Sequence, residues 1–134
     1  MTAMTKVRDL ITRPAVTCVR NATLPTIARE MYENNVTSVV VVDKEKHPIG
    51  IVTDHDIVVR ALARGLPLTT TAEKIMERSV ARVHWDSDID TAIHQMSLWA
   101  CRRVPVVNDD GKIAGVITID DLAVELADIS GGGT

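Results

Sequence analysis

Gly50-Ile51-Val52-Thr53-Asp54-His55-Asp56 returns as Gly115-Val116-Ile117-Thr118-Ile119-Asp120-Asp121, about 65 residues further on and without a gap, in the manner of an internal repeat. Gly, Thr and Asp recur in register. In each copy a β-branched run precedes them and an apolar helical pattern follows, which puts the heptapeptide at a strand-to-helix junction. The correspondence reaches upstream: Val39, Val41 and Val42 fall on Val104, Val106 and Val107, Met31 falls on Met96, and Leu10-Ile11 falls on Ile75-Met76. One supersecondary unit has been used twice.

Each copy reads strand, helix, strand, strand, helix. Val16-Thr17-Cys18-Val19 and Ala81-Arg82-Val83-His84 are short opening strands. Leu24, Ile27, Ala28 and Met31 share one helical face, as do Ile89, Ala92, Ile93 and Met96. Thr23 and Asp88 are the expected N-caps, Pro25 fits a first turn that needs no N–H, and Asn34-Asn35 ends the first helix because Asn tolerates left-handed backbone. Ser38 to Val42 and Val104 to Val107 are too short and too β-branched for helices and read as strands buried on both faces. Tight turns then lead into Ile49 to Thr53 and Ile113 to Thr118. The closing helices run from Asp54 to about Ala63, with Gly65 as the stop, and from Ile119 to about Ile129. The expected organisation is a first repeat over residues 7–65, a linker over 66–71, a second repeat over 72–129 and a fraying tail over 130–134.

A chain of 134 residues is one typical domain by length, so two copies within it should share a core. Its 46% apolar and 25% charged residues are ordinary for a globular protein. A net charge of −3 provides no field that would draw the chain to nucleic acid or to anionic lipid. No apolar run approaches the ~20 residues that span a bilayer, and charges stand where a signal peptide would be apolar, so a cytoplasmic location is expected. Cys18 and Cys101 fall at non-equivalent positions of the two copies and read as small core thiols, not a disulfide.

Gly, two β-branched residues, Thr, two variable residues and Asp, present twice behind an apolar strand, resemble the CBS domain, which usually occurs as a tandem pair called a Bateman module. The likeness covers residues 7 to 126 and includes the strand Val104-Pro105-Val106-Val107. The stretch from Thr53 to Gly65 is similar to small stand-alone CBS-pair proteins of bacteria and archaea. The resemblance implies an α/β fold, with the two copies packed about a pseudo-twofold axis around two clefts. It also implies a sensor, not a catalyst, that takes an adenosyl nucleotide such as AMP, ADP, ATP or S-adenosylmethionine in those clefts.

The residues explain such a ligand chemically. A helix N-terminus offers N–H groups and partial positive charge to a phosphate, and Thr53 or Thr118 adds a hydroxyl donor. Asp56 or Asp121, as an acceptor with two oxygens, can take both hydrogens of a ribose diol. Gly50 and Gly115 allow ligand or neighbouring backbone to approach the strand, beside β-branched residues suited to adenine. The same Thr-x-x-Asp spacing is also a capping-box variant that needs no ligand, and the two roles can coexist. Arg102 and Arg103 precede the second buried strand, where the resemblance implies a basic residue reaching the ligand phosphate; a solvated helix end offsetting its dipole is the alternative. Thr37-Ser38 stands there in the first copy.

Other side chains carry less. His55 lies between Asp54 and Asp56, but adjacent helical positions do not converge on a metal. His47, His84 and His94 lack partners at ligand spacing, and no nucleophile, base and orienting group can be assembled, so no cofactor, metal or catalytic site is expected. Ile57, Val58, Val59, Ala61 and Leu62, with Leu122, Ala123, Val124, Leu126, Ala127 and Ile129, make the closing helices apolar on more than one face, which predicts a homodimer built on them. With no effector domain in the sequence, the signal would pass to a separate effector protein or to an identical copy of the chain. The rival reading is a ligand-free structural or oligomerisation module.

Overall fold

The computed structural model describes residues 5–11, 13–78 and 81–131, with side chains through Glu125. The chain divides into two compact units. One begins at Ala15 and contains β1 (Thr17–Val19), α1 (Leu24–Asn34), β2 (Ser38–Val42), β3 (Pro48–Thr53), α2 (Asp54–Asp56), α3 (Ala72–Ile75) and β4 (Glu77–Arg78). The other joins the segment ending at Pro14 to the chain from Ala81 onward, with β5 (Val83–His84), α4 (Ile89–Leu98), β6 (Arg103–Val107), β7 (Ile113–Thr118) and α5 (Ile119–Gly131). The first sheet has the order β1-β2-β3-β4 and the second β5-β6-β7.

The β-branched runs settle these sheets. In the first, β1 lies parallel to β2 and β2 antiparallel to β3; β5, β6 and β7 repeat the pattern. Val39, Val41 and Val52 are fully buried with Ile27, and Val104, Val106, Ile117 and Leu122 occupy the corresponding interior. Each such side chain removed from water contributes about 1.5–3 kcal/mol. Val41 pairs with Gly50 and Val106 with Gly115, each just before a register shift. The duplication is thus preserved down to its irregularities.

The helices depart from expectation in detail. Asn35 ends α1 at φ 53° and Gly65 takes φ 68°, as their chemistry predicts. Asp88 caps α4 by accepting the Thr91 N–H at 3.1 Å. Thr23 has the extended N-cap backbone but makes no side-chain cap bond; its hydroxyl stands 3.4 Å from that of Thr26. Beyond α2 the chain continues through Ile57–Leu62 as a π-helix, with Ala63 N–H donating to Val58 C=O at 2.8 Å. The segment expected to fray begins inside α5, which includes Ser130 and Gly131; residues 132–134 lie outside the described residues.

The compact units do not coincide with the sequence repeats. The lead-in of each repeat packs into the unit that holds the other repeat's strands. Val7 N–H donates to Ser87 C=O and Arg8 N–H to Trp85 C=O; the equivalent Ala72 and Glu73 N–H groups donate to Ala22 and Arg20 C=O, all at 2.8–3.0 Å. Isolated bridges Lys6↔Asp88 and Thr23↔Thr71 complete the correspondence. The linker over 66–71 is built into this arrangement: Leu66 packs on the first core, and Thr70 is buried with its hydroxyl donating to Pro67 C=O at 2.6 Å.

Candidate functional site

Each Thr-x-x-Asp motif occupies the turn from the third strand of its copy into the closing helix. Thr53 N–H donates to Asp56 Oδ2 at 2.9 Å and Asp56 N–H to Thr53 Oγ1 at 3.1 Å, a reciprocal capping box. Thr118 and Asp121 repeat it at 2.9 and 3.2 Å, and the Thr118 hydroxyl also donates to Asp121 Oδ2 at 3.0 Å. Asp54 N–H reaches Thr37 C=O at 3.0 Å and Ile119 N–H reaches Arg102 C=O at 2.8 Å, so the preceding strand's end accepts the first orphan donor of each helix.

Similar backbones carry different surroundings. Asp56 is 6% exposed, and its Oδ1 lies 3.6 Å from Arg60 Nε. Asp121 is exposed, both of its accepted bonds fall on Oδ2, and Glu125 stands one turn on, with its carboxylate accepting the Thr5 hydroxyl at 2.7 Å. In the first junction His55 N–H is also taken by Asp54 Oδ1 at 2.8 Å; Ile119, at the equivalent position, has no acceptor to offer. Arg103 pairs across the sheet with Thr118, where the first copy pairs Ser38 with Thr53. The Arg102 side chain is exposed.

The glycines serve packing first. A Cβ on Gly50 would stand 2.5 Å from Met76 Sδ and 3.0 Å from Glu77 C=O, and one on Gly115 would stand 2.8 Å from Ile11 Cδ1. The space left by the missing side chains is filled by the exchanged lead-in residues, with the Glu77 backbone carbonyl among the groups that approach Gly50, as expected for a neighbouring backbone. The signal was visible, since Ile11 and Met76 already aligned; what the alignment lacked was which strand each would cover.

A second cluster escaped the sequence altogether. Ligand atoms of His84, Asp86 and Asp109 lie within 4.8 Å of one another. His84 Nδ1 accepts the Asp86 N–H at 3.1 Å, which leaves Nε2 as the proton-bearing nitrogen 2.7 Å from Asp109 Oδ1. Arg8 pairs with Asp86 and stacks its guanidinium 4.4 Å from the Trp85 ring centre. A cation would have to displace that imidazole proton beside a guanidinium, so the cluster acts as a clasp that holds the lead-in segment to β5 and the β6–β7 turn.

Two α/β units, each ending its central hairpin in a capped Thr-x-x-Asp junction, define a duplicated module of one architecture. The chain belongs to the CBS-domain family, whose model matches residues 7–62 and 72–128. An uncharacterised protein of Methanopyrus kandleri is 36% identical over 117 residues, covering 86% of this chain, which spans 57% of that protein's length. A CBS domain protein from Pyrobaculum aerophilum complexed with AMP superimposes with a TM-score of 0.81 at 31% identity, over 92% of this chain and 98% of that one. The CBS domain pair of protein MJ0100, in complex with 5′-methylthioadenosine and S-adenosyl-L-methionine, gives 0.81 at 30% identity, over 98% and 100%.

Proposed function

We propose that this chain is a regulatory module that binds an adenosyl nucleotide at its strand-to-helix junctions and passes occupancy to a separate effector protein. The observation that carries the reading is the second junction, where Asp121 is exposed and leaves Oδ1 without a hydrogen bond among the described residues. The start of α5 suits a phosphate, Asp121 suits a ribose diol, and Arg103 stands beside them on β6. Relatives of similar fold in complex with AMP, or with 5′-methylthioadenosine and S-adenosylmethionine, support the same ligand class.

The chemistry is binding, without catalysis. A ligand that contacts two conformations of the chain unequally shifts their populations by that difference alone, and an effector that distinguishes them reads the ligand. The reading includes a homodimer, supported by the exposed apolar edges of the closing helices. Calorimetry with AMP, ATP and S-adenosylmethionine tests the proposal. Binding of at least one is expected, whereas binding of none, with no adenosyl compound co-purifying by mass spectrometry, would leave a structural module whose motifs only cap helices.

A further inference from the structure

Asp56 and Asp121 hold equivalent positions, yet only Asp56 has a cation of its own helix beside the oxygen that a ribose diol would use. Asp56 Oδ2 is committed to the Thr53 N–H at 2.9 Å. Arg60 Nε stands 3.6 Å from Oδ1, an ion-pair distance, with the Asp56 side chain 8% and the Arg60 side chain 46% exposed. Arg60 lies four residues after Asp56, one turn along the same face, and the equivalent residue in the other copy is the anionic Glu125.

From these contacts we infer that Arg60 is an internal competitor for the Asp56 carboxylate, which holds the first junction in a self-satisfied state and makes the second the more responsive one. The inference rests on the nucleotide reading above and adds the regulation of that site. A ribose diol can use Asp56 Oδ1 only by displacing the guanidinium, and because Arg60 is half exposed, displacement moves a solvated side chain without opening the core. Asp54 reinforces the closure by occupying the His55 N–H that a phosphate would otherwise find. Among the described residues no cation pairs with Asp121, whose accepted bonds all fall on Oδ2.

The test isolates the first junction in an Asp121→Ala background and adds Arg60→Gln, with Arg60→Met as a second variant that keeps the aliphatic stem. AMP is titrated calorimetrically, with 2′,3′-dideoxy-AMP as the control that lacks the diol. Removal of Arg60 is expected to tighten AMP binding about fivefold, the scale of a half-exposed ion pair, and to leave the dideoxy compound unchanged. Unchanged or weaker AMP binding would overturn the inference, weaker binding by showing that Arg60 contacts the ligand; so would an equal gain with the dideoxy compound. If the wild-type protein binds no adenosyl ligand, the nucleotide reading falls and this inference falls with it. If the wild type binds AMP but the Arg60 variants gain nothing, only this inference falls.

Discussion

Ile11 rests on Gly115, its Cδ1 and Cγ2 both 2.8 Å from where a Cβ would stand, and Met76 rests on Gly50 in the same way. The two contacts are equivalent under the repeat, and in each the lead-in of one copy covers the strand glycine of the other. Gly50 is the more tightly confined, because Met76 Sδ lies 2.5 Å and Glu77 C=O 3.0 Å from where its Cβ would stand.

Gly115→Ala should therefore cost about 1–3 kcal/mol of stability in urea unfolding, the usual range for overpacking. Met76→Ala, at 5% exposure, should cost about 2–5 kcal/mol through loss of packing. Gly115→Ala combined with Ile11→Ala should cost less than the sum of the single changes, since the cavity of one accommodates the methyl of the other. Strict additivity would show that the contact is not formed in solution.

Asp121→Ala should abolish the tighter phase of AMP or ATP binding in calorimetry, and Asp56→Ala should spare it. A charge-assisted bond from the Arg102-Arg103 pair, present only beside the second junction, is worth roughly 1.5–3 kcal/mol, or at least tenfold in affinity. An exchange of the two phenotypes would mean that the arginines serve the first junction instead.

Asp88→Ala should destabilise the protein by about 1 kcal/mol, because its carboxylate accepts the Thr91 N–H and hydroxyl. Thr23→Ala, at the equivalent cap, should cost only a few tenths of a kcal/mol, roughly the contribution of a cap whose hydroxyl bonds elsewhere. Equal losses in thermal unfolding would contradict the difference between the caps.

Cys18 lies in the first core, where burial, aided by the charge of Glu30, pushes its thiol from 9.0 up to about 11. The folded state thus holds this proton more firmly than the unfolded chain. Its contribution to stability is complete below about pH 9 and is lost as pH rises through 11. Cys18→Val should flatten that alkaline decline in unfolding midpoints. In native protein at pH 8, iodoacetamide should modify Cys18 more slowly than the half-buried Cys101.

Val58, Val59 and Leu62 are 55%, 45% and 55% exposed, and Val124 is 64% exposed, so the closing helices retain apolar edges that a second copy would cover. Ala61 and Leu122, expected in the same contact, are buried within their own units instead, and Leu126, Ala127 and Ile129 lie beyond the described side chains. Light scattering should give a dimer mass at micromolar concentration, and Val59→Asp should shift it to monomer. A monomeric wild type would remove the homodimer.

Local chemistry was legible where a residue acts through its own backbone or its neighbours. The strands followed from β-branched runs, the α1 terminus from Asn35, and the junctions from Thr and Asp three residues apart. The exchange was not legible, because an apolar pair such as Leu10-Ile11 has the same pattern whichever sheet receives it. Nor did spacing reveal that Asp56 is buried beside Arg60 while Asp121 is exposed, since that contrast depends on what surrounds each helix. The clasp of His84 and Asp109 joins a residue of β5 to one in the β6–β7 turn and had no sequence period to betray it.

The exchanged lead-ins also govern the order in which the molecule can be completed during synthesis. Ile11 emerges from the ribosome well before Gly115, and its seat on β7 does not exist until Gly115 has emerged, so the lead-in must wait for the later strand. The strand bearing Gly50 waits a shorter time, for Met76. A gene cut at the linker would encode two fragments, each missing the piece that closes its own sheet and each carrying the piece that closes the other's. Such halves should be productive only when expressed together.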